Sequence, residues 1–332
     1  MGNMVVVGDI HVQDKEPKKS QSLDFLEWLF NQEFNNKENI LLILGDLCEI
    51  NASFEMFGEY VNFFTNKSKF KKIICLQGNH DAVNQSTILS IFEPLKNVEV
   101  ITEYTSYEIE NIKCLFLPHY NHEGTKKDSM IDCYSNLYKE FEDVSFDYGF
   151  AHIEDETEHF SKKFCDTSKL NVKTWMNGHI HVPTIQNGGH YLGSPILNSF
   201  TESGKTPYVA SINLENKEYE LIEVPKFLEY YEVTYPEKLP KIDTKYALFL
   251  VRDSIDKETT IEEYSKQAEE LGYKFYTRRI LSKKSVSDID SNVENVDNIC
   301  TFDVFAKEKE ISDDIADICK EIIKLKGEIV NA

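Results

Sequence analysis

Along the first two-thirds of the chain, short runs of aliphatic and β-branched residues recur, each ending in a small residue followed by a polar one. MVVV runs into Gly8-Asp9-Ile10-His11, ILLIL into Gly45-Asp46, and IICL-Gln77 into Gly78-Asn79-His80-Asp81. Tyr148-Gly149-Phe150-Ala151 runs into His152, and Thr174-Trp175-Met176-Asn177-Gly178 into His179 and His181. Short apolar runs bounded by turn signals predict buried strands. Between them the period changes: Leu23, Leu26, Leu29 and Phe30, then Phe54, Phe57, Tyr60, Val61 and Phe64, fall on helical faces. Strands alternating with helices predict a largely parallel sheet, whose sites form beyond the carboxyl ends of its strands. The polar clusters are expected to converge there.

From about residue 186 to 224 the pattern becomes alternating, as in TPYVASINL and EYELIEV, punctuated by Gly188-Gly189 and Gly193-Ser194-Pro195. This predicts antiparallel strands that complete a layered sheet core. Pro225 marks a boundary. Beyond it, Lys245 to Arg252 reads as a strand, Ile261 to Leu271 as a helix and Tyr273 to Leu281 as a strand, a compact β-α-β unit. Ile311, Ile315, Ile318, Ile322, Leu325 and Ile329 then recur at 4-3-4-3-4 spacing, with Asp313 and Asp314 early and Lys320, Lys324 and Lys326 late, as a helix dipole favours. That stripe suits a partner's groove or packing on the chain's own core. Three units are expected: residues 1–225, 226–310 and 311–332.

Charge changes this picture. The chain carries 36 basic and 57 acidic residues, a formal −21, which excludes a whole-molecule electrostatic grip on nucleic acid. Any polyanion must be held locally, by metal ions or a basic patch. The seven cysteines form no CxxC pair and sit at apolar positions, as reduced thiols of a cytoplasmic protein would. The opening residues show no leader pattern, and no apolar run approaches the ~18 residues of a membrane span, so no membrane partner is expected.

Carboxylate, imidazole and side-chain amide in one set suit Mn, Fe or Zn better than Mg or Ca. Asp9 and His11, like His179 and His181, stand two residues apart, so in an extended turn they can face one centre or straddle two neighbouring ones. A shared carboxylate, Asp46, would bridge two ions roughly 3.5–4 Å apart, the arrangement that activates water for in-line phosphoryl displacement. One GD or GNH triplet means little, but the ordered set after successive strands points to a metal site.

GDIH, GDLCE, GNHD and GHIHVP resemble the signature of the calcineurin-like metallophosphoesterases over about residues 4 to 183. Tyr191-Leu192-Gly193-Ser194-Pro195, then Phe200, Glu202 and Gly204, resemble a narrower branch, the SbcD-type nucleases of double-strand-break repair and their phage recombination counterparts. The resemblance implies an α/β fold: a layered β-sandwich flanked by helices, then a small α+β cap domain and a C-terminal docking helix. It implies one metal site from Asp9, His11, Asp46 and His181, and a second from Asp46, Asn79, His152 and His179, with Mn²⁺ the expected ion. His80 would act beside the scissile phosphate as proton donor or charge stabiliser, with Asp81 orienting it. The implied partners are DNA and an SbcC-type, SMC-like ATPase, in a bacterial cell or phage-infected host. Pairing of two copies is left open.

Two departures stand out. The branch commonly has a histidine three residues after the second motif's aspartate, where this chain has Glu49, a candidate substrate-side residue together with His119. The chain's three arginines, Arg252, Arg278 and Arg279, all lie beyond residue 225; Lys67, Lys69, Lys71 and Lys72, together with the RRILSKK stretch that begins at Arg278, are candidate backbone contacts or solvated charged loops. A stand-alone phosphodiesterase or phosphatase for small nucleotides, and a non-catalytic DNA-tethering scaffold, are the alternatives. His122, His159, His190, Trp28 and Trp175 read as structural.

Overall fold

The computed structural model describes residues 2–49, 53–83, 86–119, 135–153, 165–186 and 189–282. The helix expected at 311–332 lies outside these residues, as do His122 and His159. In chain order the strands are β1 (Asn3–Val7), β2 (Ile40–Ile43), β3 (Lys72–Leu76), β4 (Ala82–Val83), β5 (Ser86–Thr87), β6 (Val98–Ile101), β7 (Thr105–Ile109), β8 (Ile112–Leu117) and β9 (Ser145–Ala151). They continue as β10 (Asn171–Asn177), β11 (Thr184–Gln186), β12 (Gly189–Tyr191), β13 (Tyr208–Asn213), β14 (Tyr219–Glu223), β15 (Leu228–Thr234), β16 (Tyr246–Ser254) and β17 (Lys274–Ser282).

The fold is α/β, built on two six-stranded sheets ordered β14-β13-β1-β2-β3-β6 and β11-β12-β10-β9-β8-β7. Strand alternation explains the layering, because successive side chains point to opposite faces. Met4, Val6, Leu42, Ile74 and Leu76 of the first sheet meet Phe116, Tyr148, Phe150 and Met176 of the second in one buried core. The intervening Val5, Val7, Leu41, Ile43, Ile73 and Cys75 pack instead with Phe25, Leu26 and Leu29 of helix α1 (Lys18–Asn31) and with Met56 and Tyr60 of helix α2 (Phe54–Asn62). Across the second sheet, Leu115, Leu117, Ala151 and Trp175 pack with Leu137 and Phe141.

Parallel pairing sets the register that matters for function. Val7 lies beside Ile43, and Ile43 beside Cys75, so the first three strands end level. In the second sheet Leu117 lies beside Ala151, Ala151 beside Asn177 and Asn177 beside Tyr191. The alternating runs form the antiparallel β13 and β14, but β12, from the glycine-rich stretch, pairs parallel to β10.

After Val224 a three-stranded parallel sheet, β15-β16-β17, packs on the helix Lys257–Leu271. The β-α-β pattern accounts for two of these strands; β15 was not legible, because its alternation (LEYYEVT) resembles that of the preceding β14. This sheet reaches back to α1, where Lys245 Nζ and the Tyr246 hydroxyl both donate to Asp24 Oδ2 at 2.7 Å. Cys48, Cys75, Cys114 and Cys165 are buried. Among the described residues no helix is long and apolar enough to cross a membrane.

Asp147 on β9 ties four segments together: it accepts from Lys173 Nζ and Lys217 Nζ, each at 2.8 Å, and from the Lys113 amide at 3.1 Å. Burial works against its charge, but these partners outweigh it and hold the carboxyl below the usual range. A depressed folded pKa gives stability that is present above the unfolded value, about pH 4, and lost as pH falls through the folded value. Asp147→Asn is expected to destabilise the protein by about 1 kcal/mol at pH 7, the difference beginning to shrink as pH falls below about 4, as read by urea unfolding at pH 7 and pH 3.

Candidate metal centre

Each polar cluster occupies the loop directly after a strand. Asp9 and His11 follow β1, Asp46 and Glu49 follow β2, and Asn79, His80 and Asp81 follow β3. His119 follows β8, His152 follows β9, and His179 and His181 follow β10. Level strand ends therefore bring together residues up to 172 positions apart in sequence, from Asp9 to His181. The loops turn sharply: His11, Asp46 and His179 adopt φ of 47°, 48° and 75°. Residues with a Cβ avoid this left-handed region, and such strain is retained where surrounding structure over-determines it. Here the His11 amide donates to the Asp46 carbonyl at 2.8 Å and the His179 amide to Asp9 Oδ1 at 2.7 Å. Gly78 is required by close approach, since a Cβ there would overlap the Asp46 carboxylate and amide.

Asp9, His11, Asp46 and His181 bring one ligand atom each to within 4.8 Å of one another. His11 Nδ1 is 2.9 Å from Glu49 Oε1, and His181 Nδ1 is 3.1 Å from Glu202 Oε1. With both Nδ1 atoms turned to carboxylates, the two Nε2 atoms face each other at 2.9 Å, a contact that needs a proton on one of them or a cation between them. Asp46 Oδ2 stands 3.4 Å from His11 Nε2, and Asp9 Oδ2 is buried with no hydrogen-bond partner among the described residues.

The second group repeats the pattern. His152 Nδ1 donates to the Leu44 carbonyl at 2.7 Å, turning Nε2 toward Asn79 Oδ1 at 2.9 Å and Asp46 Oδ2 at 3.3 Å. His179 Nδ1 lies 3.0 Å from the same Asn79 oxygen. Acceptors crowded against acceptors are repulsive unless positive charge lies between them, as a proton or a cation. Asp46 belongs to both groups. The donor set, mixed carboxylate, imidazole and amide, fits two divalent transition-metal ions.

The electrostatics agree. Burial alone would raise the Asp46 carboxyl, but His152, His11 and His80 hold it well below its usual range. Desolvation opposes a charged His152, yet Asp46 and Asp9 raise it to about 9, so a proton supplies the balancing charge there and a bound cation would have to displace it. His179, buried beside His152, is lowered to about 3 and so is neutral, as a ligand must be. His80 is raised by its hydrogen bond to Glu49, Nδ1 to Oε2 at 3.0 Å, which favours the protonated form.

The structure gathers the seven expected ligands, Asp9, His11, Asp46, Asn79, His152, His179 and His181, around two adjoining centres, with half-exposed His80 at the rim. Asp81 does not orient His80. Its fully buried carboxylate accepts from the amides of Cys48 at 3.0 Å and Gly78 at 2.9 Å, bracing the loops instead. Glu49 takes the orienting place, with one oxygen turned to His11 and the other to His80. His119 lies with its ring 6.5 Å from that of His179, on the edge of the second centre.

Glu202 and the Leu44 carbonyl were not read as site groups. In the sequence Glu202 stands out only as part of a motif, and no sequence signal marks a single carbonyl. Lys18 is a third omission: half-buried, it donates to Asn198 Oδ1 at 3.3 Å, and burial lowers its pKa against the pull of Glu49 and Glu202. Lys67, Lys71 and Lys72 pair with Glu27, Glu110 and Glu99, which favours the solvated-loop reading of that stretch. His190 contacts the Tyr219 hydroxyl, and Trp175 is core.

Comparison with known proteins gives a match to the family model described as calcineurin-like phosphoesterase, over residues 2–183. No curated protein matches. Among solved structures, one described as a novel archaeal phosphodiesterase is similar at 15% identity, covering 67% of this chain and 99% of that one, with a TM-score of 0.36. A protein of unknown function from Aquifex aeolicus is similar at 16% identity, covering 57% and 83%, with a TM-score of 0.30. A hypothetical protein from Pyrococcus horikoshii OT3 is similar at 10% identity, covering 68% and 88%, with a TM-score of 0.33.

Carboxylate partners of metal-binding imidazoles typically contribute 10–100-fold to affinity. Glu202→Gln is expected to keep the wild-type circular dichroism spectrum and weaken Mn²⁺ binding at one of two sites by roughly that factor, measured calorimetrically. Unchanged affinity at both sites would remove Glu202 from the centre.

Proposed function

The chain belongs to the calcineurin-like phosphoesterase family, and from that premise we propose that it is an Mn²⁺-dependent nuclease hydrolysing phosphodiester bonds of DNA in repair or recombination. The observation that carries the reading is the double cluster of lone pairs around Asp46, with an imidazole held at its rim. When bound, two divalent ions would supply an activated water and charge stabilisation at the phosphoryl group. Asp9, His11, Asp46 and His181 would hold one ion; Asp46, Asn79, His152 and His179 would hold the other. His80 has its amide anchored on Asp46 Oδ1 at 2.8 Å and its Nδ1 on Glu49, leaving Nε2 to protonate the departing sugar oxygen.

The DNA reading is supported by the segment that resembles the nuclease branch. Ser194 Oγ donates to the Asp9 carbonyl at 2.7 Å, and Glu202 holds His181, so both residues brace the centre. Beyond Glu202, Phe200 packs on Tyr230 with ring centroids 5.8 Å apart, and the Arg278 guanidinium lies 5.8 Å from the same Tyr230 ring. This aromatic and basic edge suits a nucleotide strand. The rest of the DNA-binding charge would come from an SMC-like ATPase docked through residues 311–332. The ion pairs that occupy Lys67, Lys71 and Lys72 favour a second reading, a phosphodiesterase for small nucleotides.

Release of label from linear duplex DNA with Mn²⁺ tests the proposal, with a dinucleotide diester assayed in parallel. His80→Ala is expected to lower the rate by about 10²–10⁴-fold. Turnover of the dinucleotide without DNA cleavage, with or without the ATPase, would establish the second reading instead.

A further inference from the structure

Lys18 and Arg278 approach each other from different parts of the fold, and neither forms an ion pair among the described residues. Carboxylates are not scarce in a chain with 57 acidic and 36 basic residues. Lys18 is half-buried and opens helix α1, where the helix dipole disfavours a cation. Burial lowers its pKa, Glu49 and Glu202 pull the other way, and the Arg278 charge lowers it further. Two cations brought together away from full solvent repel unless an anion joins them.

The neighbours fix where the Lys18 ammonium lies. Asn198 donates Nδ2 to Ser194 Oγ at 3.2 Å and to the Ile196 carbonyl at 3.1 Å, which settles the orientation of its amide. Its Oδ1 then receives Lys18 Nζ at 3.3 Å and Gln13 Nε2 at 3.5 Å. Gln13 Nε2 also lies 3.4 Å from Glu49 Oε1, and the Asn198 amide donates to Glu202 Oε2 at 2.7 Å. The ammonium is therefore held one residue away from the two carboxylates that partner His11 and His181, and only one of its three hydrogens is engaged among the described residues. Farther from the metal centre, the Arg278 guanidinium lies over the Tyr230 ring, against which the exposed Phe200 packs.

We propose that Lys18 and Arg278 form a subsite for a second phosphate of the substrate, the one next to the scissile phosphate along a nucleotide chain. The assignment rests on the phosphodiesterase reading and narrows its substrate class to diesters that carry a further phosphate one nucleotide away. Every internal bond of a DNA strand meets that requirement, and a simple dinucleotide diester does not.

Cleavage of three thymidine substrates by the full-length chain with Mn²⁺ tests it: TpT and its 5′- and 3′-phosphorylated forms, pTpT and TpTp. Hydrogen bonds between charged groups are the strong ones, so the wild type is expected to cleave one phosphorylated form with a kcat/KM roughly 10–100-fold above that for TpT. The form preferred gives the side of the scissile bond on which the subsite lies. Lys18→Met, which keeps the apolar stem, and Arg278→Ala should each bring that ratio toward unity, and Lys18→Arg should keep it. Equal rates on all three substrates in the wild type overturn the subsite. Equal losses on TpT and on the preferred form in K18M also overturn it, and make Lys18 a counter-charge to Glu49 and Glu202 instead. If the wild type cleaves none of the three, the phosphodiesterase reading fails, while titration calorimetry with thymidine 3′,5′-bisphosphate still decides the subsite. Binding roughly tenfold tighter to the wild type than to K18M supports it, and equal affinity overturns it.

Discussion

Concentration of unshared electron pairs at one edge of the sandwich is the constraint on which the rest depends. Asp9, Asp46 and Asn79 present oxygens, and His11, His152 and His181 have their other ring nitrogens committed to Glu49, the Leu44 carbonyl and Glu202. Such a cluster can persist only if rigid elements hold it and positive charge balances it. The parallel strands provide the first condition, because paired registers make several carboxyl ends level. The second defines the chemistry.

Much of this edge was legible. An apolar run ending in glycine or alanine and then a ligand-type residue is a local signal, and the structure gathers those loops at one place. The layering was less so, because a run buried on both faces looks the same whichever sheet receives it. Only contacts separate Val6, which faces the second sheet, from Val5, which faces α1. The short parallel β12 was hidden by its glycines, which read as a turn.

The groups that support the ligands were harder to find. Asp81 looked like the partner of His80 because it is adjacent in sequence, yet consecutive residues in a tight turn diverge, and its carboxylate enters the interior. Glu49 and Glu202 approach from other loops, 31 residues before His80 and 21 after His181. Sequence distance carries no sign of such pairings, which the backbone alone creates.

Helix α1 is gripped on two sides. Its Phe25, Leu26 and Leu29 pack with Val5 and Val7 of the strand that leads into Asp9 and His11, while its Asp24 receives Lys245 and Tyr246 from the three-stranded sheet. A pull on that sheet would be borne first by α1, and then by the strand beneath it. Mechanically, the C-terminal sheet is coupled to the metal centre through a helix that contributes no ligand, so tension applied more than 200 residues downstream has a short route to the loop that begins the site.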